Sequence, residues 1–408
     1  LGLRASDYGQ LTAAFSSIGP RFEFTQNAKG GTGGVSSGFL SEQPACCRRI
    51  RMHPKVARYA TSAVPRYTSY PSVPHFSDTL PPETYAQWLG RVPSETPISL
   101  YVHIPFCRQL CWYCGCNMRL ANRYEPVARY VDSLLAEIAL SASRLPARMS
   151  VAHLHFGGGT PTALEPDDLE RVMQTIRAHF DLTHDAELAI EVDPRTLSEA
   201  MIARVGALGF NRASFGVQEF APEVQNAINR VQSAELVAHS IESLRAHGVE
   251  RINLDLIYGL PYQTAEGLAE TVAQCLEMAP DRIALFGYAH VPWMAKKQRL
   301  IDEQALPGPA ARAAQAAAAD ATLTAHGLHA IGLDHFARPE DPLAQAAAAG
   351  TLKRNFQGYT ADSADTLIAF GTTAIAKTPD GYAQNLSGEG PWARAVASGV
   401  LPIARGYT

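Results

Sequence analysis

From residue 98 to residue 288 the chain repeats one pattern, a short apolar run followed by an amphipathic stretch rich in Ala, Leu, Glu and Arg. The runs are ISLYVHI (98–104), VAHLHF (151–156), ELAIEV (187–192), RASFGV (212–217), RINLDLIYG (251–259) and RIALFGY (282–288). The intervening stretches near 126–143, 166–179, 198–208, 234–247 and 264–278 read as helices. Ser198 and Thr264 stand ahead of two of them as capping residues, each with an acidic or amide residue shortly after. Six β/α units in series predict an α/β fold, a parallel sheet with right-handed crossovers. An open doubly wound sheet and a curved barrel both satisfy the pattern. In either case ligands gather at the carboxyl ends of the strands. A cluster of cysteines follows the first run, GGGTPT follows the second, EVDP ends the third, GVQEF follows the fourth and YGLP ends the fifth. The chemically suggestive residues are therefore expected on one rim.

The chain as a whole narrows the setting. Its 408 residues can bury a sizeable core, 46% hydrophobic and 18% charged content fits a globular protein, and no apolar run has the length of a membrane span. A net charge of −4 gives no global attraction for nucleic acid or anionic lipid, so an acidic ligand must be held by local arginines. Seven cysteines are too few for a disulfide scaffold, and four crowded between 107 and 116 suit a metal site in a reducing compartment, which points to the cytoplasm. Residues 1–51 show neither periodicity nor a strand run, contain KGGTGGVSSG, and read as a disordered or non-native extension, with Met52 a candidate start. Cys46 and Cys47 fall inside that piece and are given no role.

Cys107, Cys111 and Cys114 have the spacing C-x3-C-x2-C, with Cys116 two positions further on. A structural zinc site draws four ligands from two separated pairs, and no second pair stands at a suitable spacing. Cys275, inside a helical stretch, reads as a small buried apolar residue. Three thiolates on one tight loop can instead hold three irons of a [4Fe–4S] cube. The fourth iron then has an open position for the amino and carboxylate groups of S-adenosylmethionine (SAM). In this the sequence resembles the radical SAM superfamily, whose signature stands at Cys107, Cys111 and Cys114, with the usual aromatic at Tyr113. After such a loop, Gly157, Gly158 and Gly159 look like the superfamily's contact to the SAM amino group, glycine allowing close backbone approach. Glu191, Gln218, Arg230 and Asp255 add polar groups on successive units of the rim. Asp255 suits a ribose hydroxyl pair and Arg230 a carboxylate. Cys116 reads as a free thiol that moves a proton or hydrogen atom, ahead of a further cluster ligand.

A closer resemblance spans residue 58 to near the end. PRYTSYP (65–71), YVHIPFC (101–107), CGCN (114–117), HFGGGTPT (155–162), IEVDPR (190–195), GFNRASFGVQEF (209–220), DLIYGLP (255–261), DHFARP (334–339) and NFQGYT (355–360) are similar to the oxygen-independent coproporphyrinogen III oxidase family of haem biosynthesis. The resemblance implies a partial (β/α)6 radical SAM barrel over 98–300, extended by 301–408, with residues 52–97 lying over the active site. It implies conversion of two propionates of coproporphyrinogen III to vinyl groups, with a [4Fe–4S] cluster, two SAM molecules, and reduced flavodoxin or a similar electron donor to a monomeric enzyme. An electron from the cube splits SAM, and the resulting radical takes a hydrogen from the propionate β-carbon, after which carbon dioxide leaves and a second electron passes to an acceptor. Carried over by position, Tyr101, Gly158, Glu191 and Ile375 match contacts to the SAM on the cluster. Tyr113, Gly159, Thr160, Gln218, Arg230, Asp255 and Ala289 match contacts to a second SAM. Cys116, Glu191 and Gln357 are the candidate catalytic residues, and Arg66 is the candidate partner for a substrate carboxylate. His103, His153, His155, His290 and His335 lie on separate strands and are expected to pack or hydrogen-bond rather than bind metal.

The family's further helical domain is expected to begin where the chain stops, at LPIARGYT, and so to be absent. Two readings stay open, a fragment or a form without a lid. The related haem-binding chaperone branch and a haem-degrading radical SAM methyltransferase share the three-cysteine loop. The chaperone branch typically lacks the last Cys of CGC and the PRYTSYP segment, the methyltransferase is expected to differ in the same places, and both features are present here.

Overall fold

The computed structural model describes residues 73–355 and 358–408. A short helix, α1 (Pro82–Gly90), precedes six strands in chain order: β1 (Ile98–Ile104), β2 (Ser150–Gly158), β3 (Asp181–Val192), β4 (Arg212–Gln218), β5 (Arg251–Tyr258) and β6 (Arg282–Gly287). Each pairs in parallel with the next. The crossovers carry α2 (Glu125–Ala142), α3 (Pro166–His179), α4 (Glu199–Ala207), α5 (Pro222–Ala227), α6 (Ala234–Ala246) and α7 (Ala265–Glu277).

Local chemistry accounts for the helix starts. Ser198, Ser233 and Thr264 accept from the backbone N–H three residues on, and Pro166 and Pro222 open helices where a missing N–H costs nothing. In α3 the first turn carries Asp167 and Asp168 and the last carries Arg177 and His179, matching the helix dipole. Along β1, six of seven residues are buried and Tyr101 is half-buried, as expected of a strand covered on both faces.

After β6 come α8 (Pro309–Ala325), β7 (His329–Gly332), β8 (His335–Ala337), α9 (Pro342–Ala349), β9 (Leu367–Phe370), β10 (Ile375–Thr378), β11 (Gly381–Asn385), α10 (Glu389–Ala397) and β12 (Ile403–Tyr407). The sheet runs β12-β11-β10-β9-β1-β2-β3-β4-β5-β6-β8-β7. Strand β9 joins β1 in parallel, and the outer strands at both ends are antiparallel. With β12 and β7 as edges among the described residues, this is an open, partial (β/α)6 barrel continued on both sides. Strand β3 begins at Asp181, before the apolar run ELAIEV, because a register shift against Val151 and His153 takes up the polar residues in between.

The described residues ahead of β1 pack against the outer strands β11 and β12. Ser77 bridges to Gly406, the Phe76 ring lies 6.3 Å from those of Tyr382 and Tyr407, and Trp88 and Leu89 of α1 are buried. At the amino ends of the parallel strands, Arg212, Arg251 and Arg282 open β4, β5 and β6 and meet Glu187 and Asp341. Arg212 lies 3.0 Å and Arg251 3.3 Å from Glu187, and Arg282 lies 2.8 Å from Asp341. Burial pushes the Glu187 carboxyl up, but Arg212 and Arg282 outweigh it and hold it at about 2. At that end three arginines share two carboxylates.

Candidate active site at the carboxyl ends of the parallel strands

The cysteine loop is clipped at its base, where Phe106–Cys107 pairs in parallel with Arg119–Leu120. Its middle rests on the segment after α5: Trp112 N–H donates to the Ile228 carbonyl at 3.0 Å, and Asn229 Nδ2 to the Leu110 carbonyl at 2.6 Å. The loop faces a cavity of about 540 Å³ to which Cys107, Cys111, Cys114 and Cys116 all contribute. Each of the first three sulfurs accepts a hydrogen bond. Thr160 Oγ1 donates to Cys107 Sγ at 3.3 Å, Arg195 Nη2 and Arg230 Nη1 to Cys111 Sγ at 3.2 and 3.3 Å, and Cys116 N–H to Cys114 Sγ at 3.4 Å. Burial pushes the Cys107 thiol up to about 11, whereas the hydrogen bond from the Cys116 thiol draws Cys114 down to about 6. Sulfurs that each accept at least one hydrogen bond fit thiolate ligands of a cluster, whose charge those donors would share.

The rim around the cysteines is built from the other strand ends. Gly158 N–H donates to Glu191 Oε2 at 3.1 Å, and His155 Nε2 lies 3.2 Å from Glu191 Oε1. The glycines here have a steric reason. A Cβ on Gly159 would lie 2.7 Å from the Phe106 carbonyl oxygen, and one on Gly157 would lie 2.6 Å from Glu191 Oε1. They let the end of β2 pack directly on the base of the cysteine loop. Gln218 ends β4 at a register shift with φ 69°, a strained conformation for a residue with a side chain and one that concentrates at functional sites. Asp255 accepts from Ser214 Oγ at 2.9 Å and Asn253 Nδ2 at 3.0 Å, and burial, reinforced by Glu191, pushes its carboxyl up to about 6.

Of the residues singled out in the sequence, Cys107, Cys111, Cys114, Cys116, Tyr113, Gly158, Gly159, Thr160, Glu191, Gln218, Arg230, Asp255 and Ala289 line this cavity. Tyr101 is not among the lining residues. Its ring stacks on His155 at 5.9 Å and its hydroxyl lies 3.0 Å from His103 Nδ1. Ile375 also stays outside the lining. It opens β10 two residues after Thr373, whose Oγ1 accepts from Asn117 Nδ2 at 3.1 Å. Gln357 and Arg66 lie outside the described residues. His153 lies 3.5 Å from Asp362, His290 meets Tyr288 and Glu303, and His335 packs edge-on to Phe286 and Tyr359. Cys275 is fully buried in α7.

Among the lining residues that the sequence did not single out are Asp193, Arg195, Ser214 and Gln298. The first two had a signal. In EVDPR, an Asp-Pro step ends a strand and an arginine follows two residues later, and Asp193 caps the short turn Pro194–Thr196. Gln298 had none, being a lone polar residue beyond the last periodic run. Its buried amide donates to the Tyr113 carbonyl at 2.7 Å and the Ala289 carbonyl at 3.1 Å, and accepts from Val291 N–H at 2.6 Å.

A partial barrel with a three-cysteine loop at the carboxyl ends of its strands defines the radical SAM superfamily, whose family model matches residues 101–275. Relatives place the chain more closely. It is 48% identical over 349 residues to the oxygen-independent coproporphyrinogen III oxidase of Bradyrhizobium diazoefficiens, covering 86% of this chain and 78% of that one. It is 44% identical over 321 residues to the Escherichia coli protein of the same name, covering 79% and 70%. The solved structure of coproporphyrinogen III oxidase from Escherichia coli, a radical SAM enzyme, superposes with a TM-score of 0.82 at 40% identity, covering 88% of this chain and 81% of that one. The chain belongs to the oxygen-independent coproporphyrinogen III oxidase family.

Proposed function

We propose that this chain converts two propionate side chains of coproporphyrinogen III to vinyl groups, giving protoporphyrinogen IX by radical SAM chemistry in anaerobic haem biosynthesis. The observation that carries the reading is the set of three cysteine sulfurs, each already accepting a hydrogen bond, in one cavity with the polar ends of four parallel strands. When bound, a [4Fe–4S] cluster and SAM supply the electron transfer and hydrogen abstraction. The protein's part is to hold, orient and shield. Cys107, Cys111 and Cys114 would hold the cluster through three of its irons. Tyr101, Gly158, Glu191 and Ile375 would contact the SAM on the cluster, with Tyr101 stacked on the His155 that meets Glu191. Tyr113, Gly159, Thr160, Gln218, Arg230, Asp255 and Ala289 form the wall for a second SAM, and the Cys116 thiol passes a proton or hydrogen atom near the reacting carbon.

In this reading residues 98–300 form the catalytic barrel and 301–408 extend its sheet. A reduced flavodoxin-like protein delivers electrons to a cytoplasmic monomer. No helix among the described residues is long and apolar enough to cross a membrane. The experiment is anaerobic reconstitution with iron and sulfide, followed by strong reductant, SAM and coproporphyrinogen III. Protoporphyrinogen IX and stoichiometric SAM cleavage are the expected products. Stable haem retention without SAM cleavage would replace the enzyme by a haem carrier.

A further inference from the structure

Asp193 and Arg195 line the cavity beside Cys111, and the functional reading above gives them no task. Arg195 reaches Asp193 with Nε to Oδ1 at 2.9 Å and Nη2 to Oδ2 at 2.6 Å, and the same Nη2 donates to Cys111 Sγ at 3.2 Å. Arg230 stands on the other side of the carboxylate, Nη2 to Oδ1 at 3.4 Å, and donates Nη1 to the same sulfur at 3.3 Å. The three side chains are at most 9% exposed. Asp193 thus holds two guanidiniums apart and aims both at one sulfur. The three groups carry one net positive charge. A carboxylate sharing two cations leaves each less costly to bury, and its bidentate grip on Arg195 removes that side chain's freedom to turn elsewhere.

We infer that Asp193 and Arg195 are a positioning pair that sets the reduction potential of the cluster through Cys111 Sγ. The inference rests on the cluster being held by Cys107, Cys111 and Cys114. One-electron reduction makes the cluster more negative, and hydrogen bonds and positive charge at its sulfurs favour that state and raise the potential. Burial strengthens the effect, since water cannot screen the guanidinium. Arg195, rather than Arg230, is the residue that reads out the role, because Arg230 is also assigned to SAM and is bound to the Gly216 carbonyl.

The test is an EPR-monitored redox titration of the anaerobically reconstituted full chain and two variants, with iron content and SAM affinity measured alongside. Arg195→Gln is expected to keep about four irons per chain and to lower the reduction equilibrium at fixed potential about tenfold, a fall of about 59 mV for one electron. Its SAM affinity stays within twofold of the parent. An Arg195→Gln protein with full iron and an unchanged potential overturns the inference, as does one whose SAM affinity falls while the potential holds. Should Arg195→Gln fail to retain iron, Arg195→Lys decides: a lowered potential supports the pairing and an unchanged one overturns it. A parent protein that binds no iron–sulfur cluster overturns the functional reading, a result distinct from an unshifted variant.

Discussion

At Asp255 burial works against charge. Ser214 and Asn253 both donate to the carboxylate, yet burial and the nearby Glu191 keep it near 6. Its folded value lies above that of the unfolded chain, so between about 4 and about 6 the folded state takes up the proton first. The stability this proton gives is present at low pH and is lost as pH rises through about 6. Binding runs the other way. A ribose hydroxyl pair needs the carboxylate, so SAM affinity should fall about tenfold per pH unit below about 6 and level off above about 7. Equilibrium dialysis across that range checks this, and Asp255→Asn should bind weakly and flatly. The cysteines divide in a similar way. Cys107→Ser should abolish the brown iron–sulfur absorbance, whereas Cys116→Ser should keep it and slow decarboxylation. Equal loss of the cluster in both would refute the division of roles.

At the scale of elements, two junctions carry the site. The first is the end of β2, where Gly159 lies against the backbone of Phe106. Gly159→Ala should force the cysteine loop outward, cost about 1–3 kcal/mol of stability and lower the iron retained after reconstitution. The second joins α2 to the sheet extension. Glu137 is fully buried in α2, and its carboxylate accepts from Gly371 N–H at 2.7 Å, Asn385 Nδ2 at 2.6 Å and Trp392 Nε1 at 3.1 Å. Nearby, Tyr130 donates to the His103 carbonyl at 2.7 Å and accepts from Thr372 N–H at 3.1 Å. Together they fix the turn between β9 and β10, which touches the cysteine loop through Thr373 and Asn117. Glu137→Ala leaves three buried donors unmatched and should cost about 3 kcal/mol or more, seen as a lower urea midpoint with an unchanged slope. Burial pushes the Glu137 carboxyl up to about 7, so its contribution to stability is greatest below about 4.5 and falls as pH rises to about 7. The parallel strands were legible in the sequence because each apolar run is separated from the next by a helix-period stretch. Strands β7 to β12 were not, since runs of three to five residues carry no measurable period. Glu137 gave no sign either, a glutamate on a helix reading as a solvated face until its partners arrive from residues 371 to 392.

Across the whole molecule the two ends of the parallel strands have opposite characters. At one end the arginines that start β4, β5 and β6 share Glu187 and Asp341. The carboxyl end keeps its thiols, carboxylates and arginines around a cavity. The rule that ligands collect at strand carboxyl ends made this rim readable from motif order alone. What motif order could not give was how Asp193 and Arg195 reach the sulfur that a spacing argument treats as an isolated ligand. The proposed chemistry depends on a cube held by three sulfurs with its fourth iron free for SAM. The most direct measurement is the EPR spectrum of the reduced, anaerobically reconstituted protein before and after SAM is added. A [4Fe–4S] signal that changes on addition of SAM, and is lost in Cys107→Ser, is the predicted result. A protein that takes up one zinc per chain in place of iron, or a cluster signal indifferent to SAM, would contradict it.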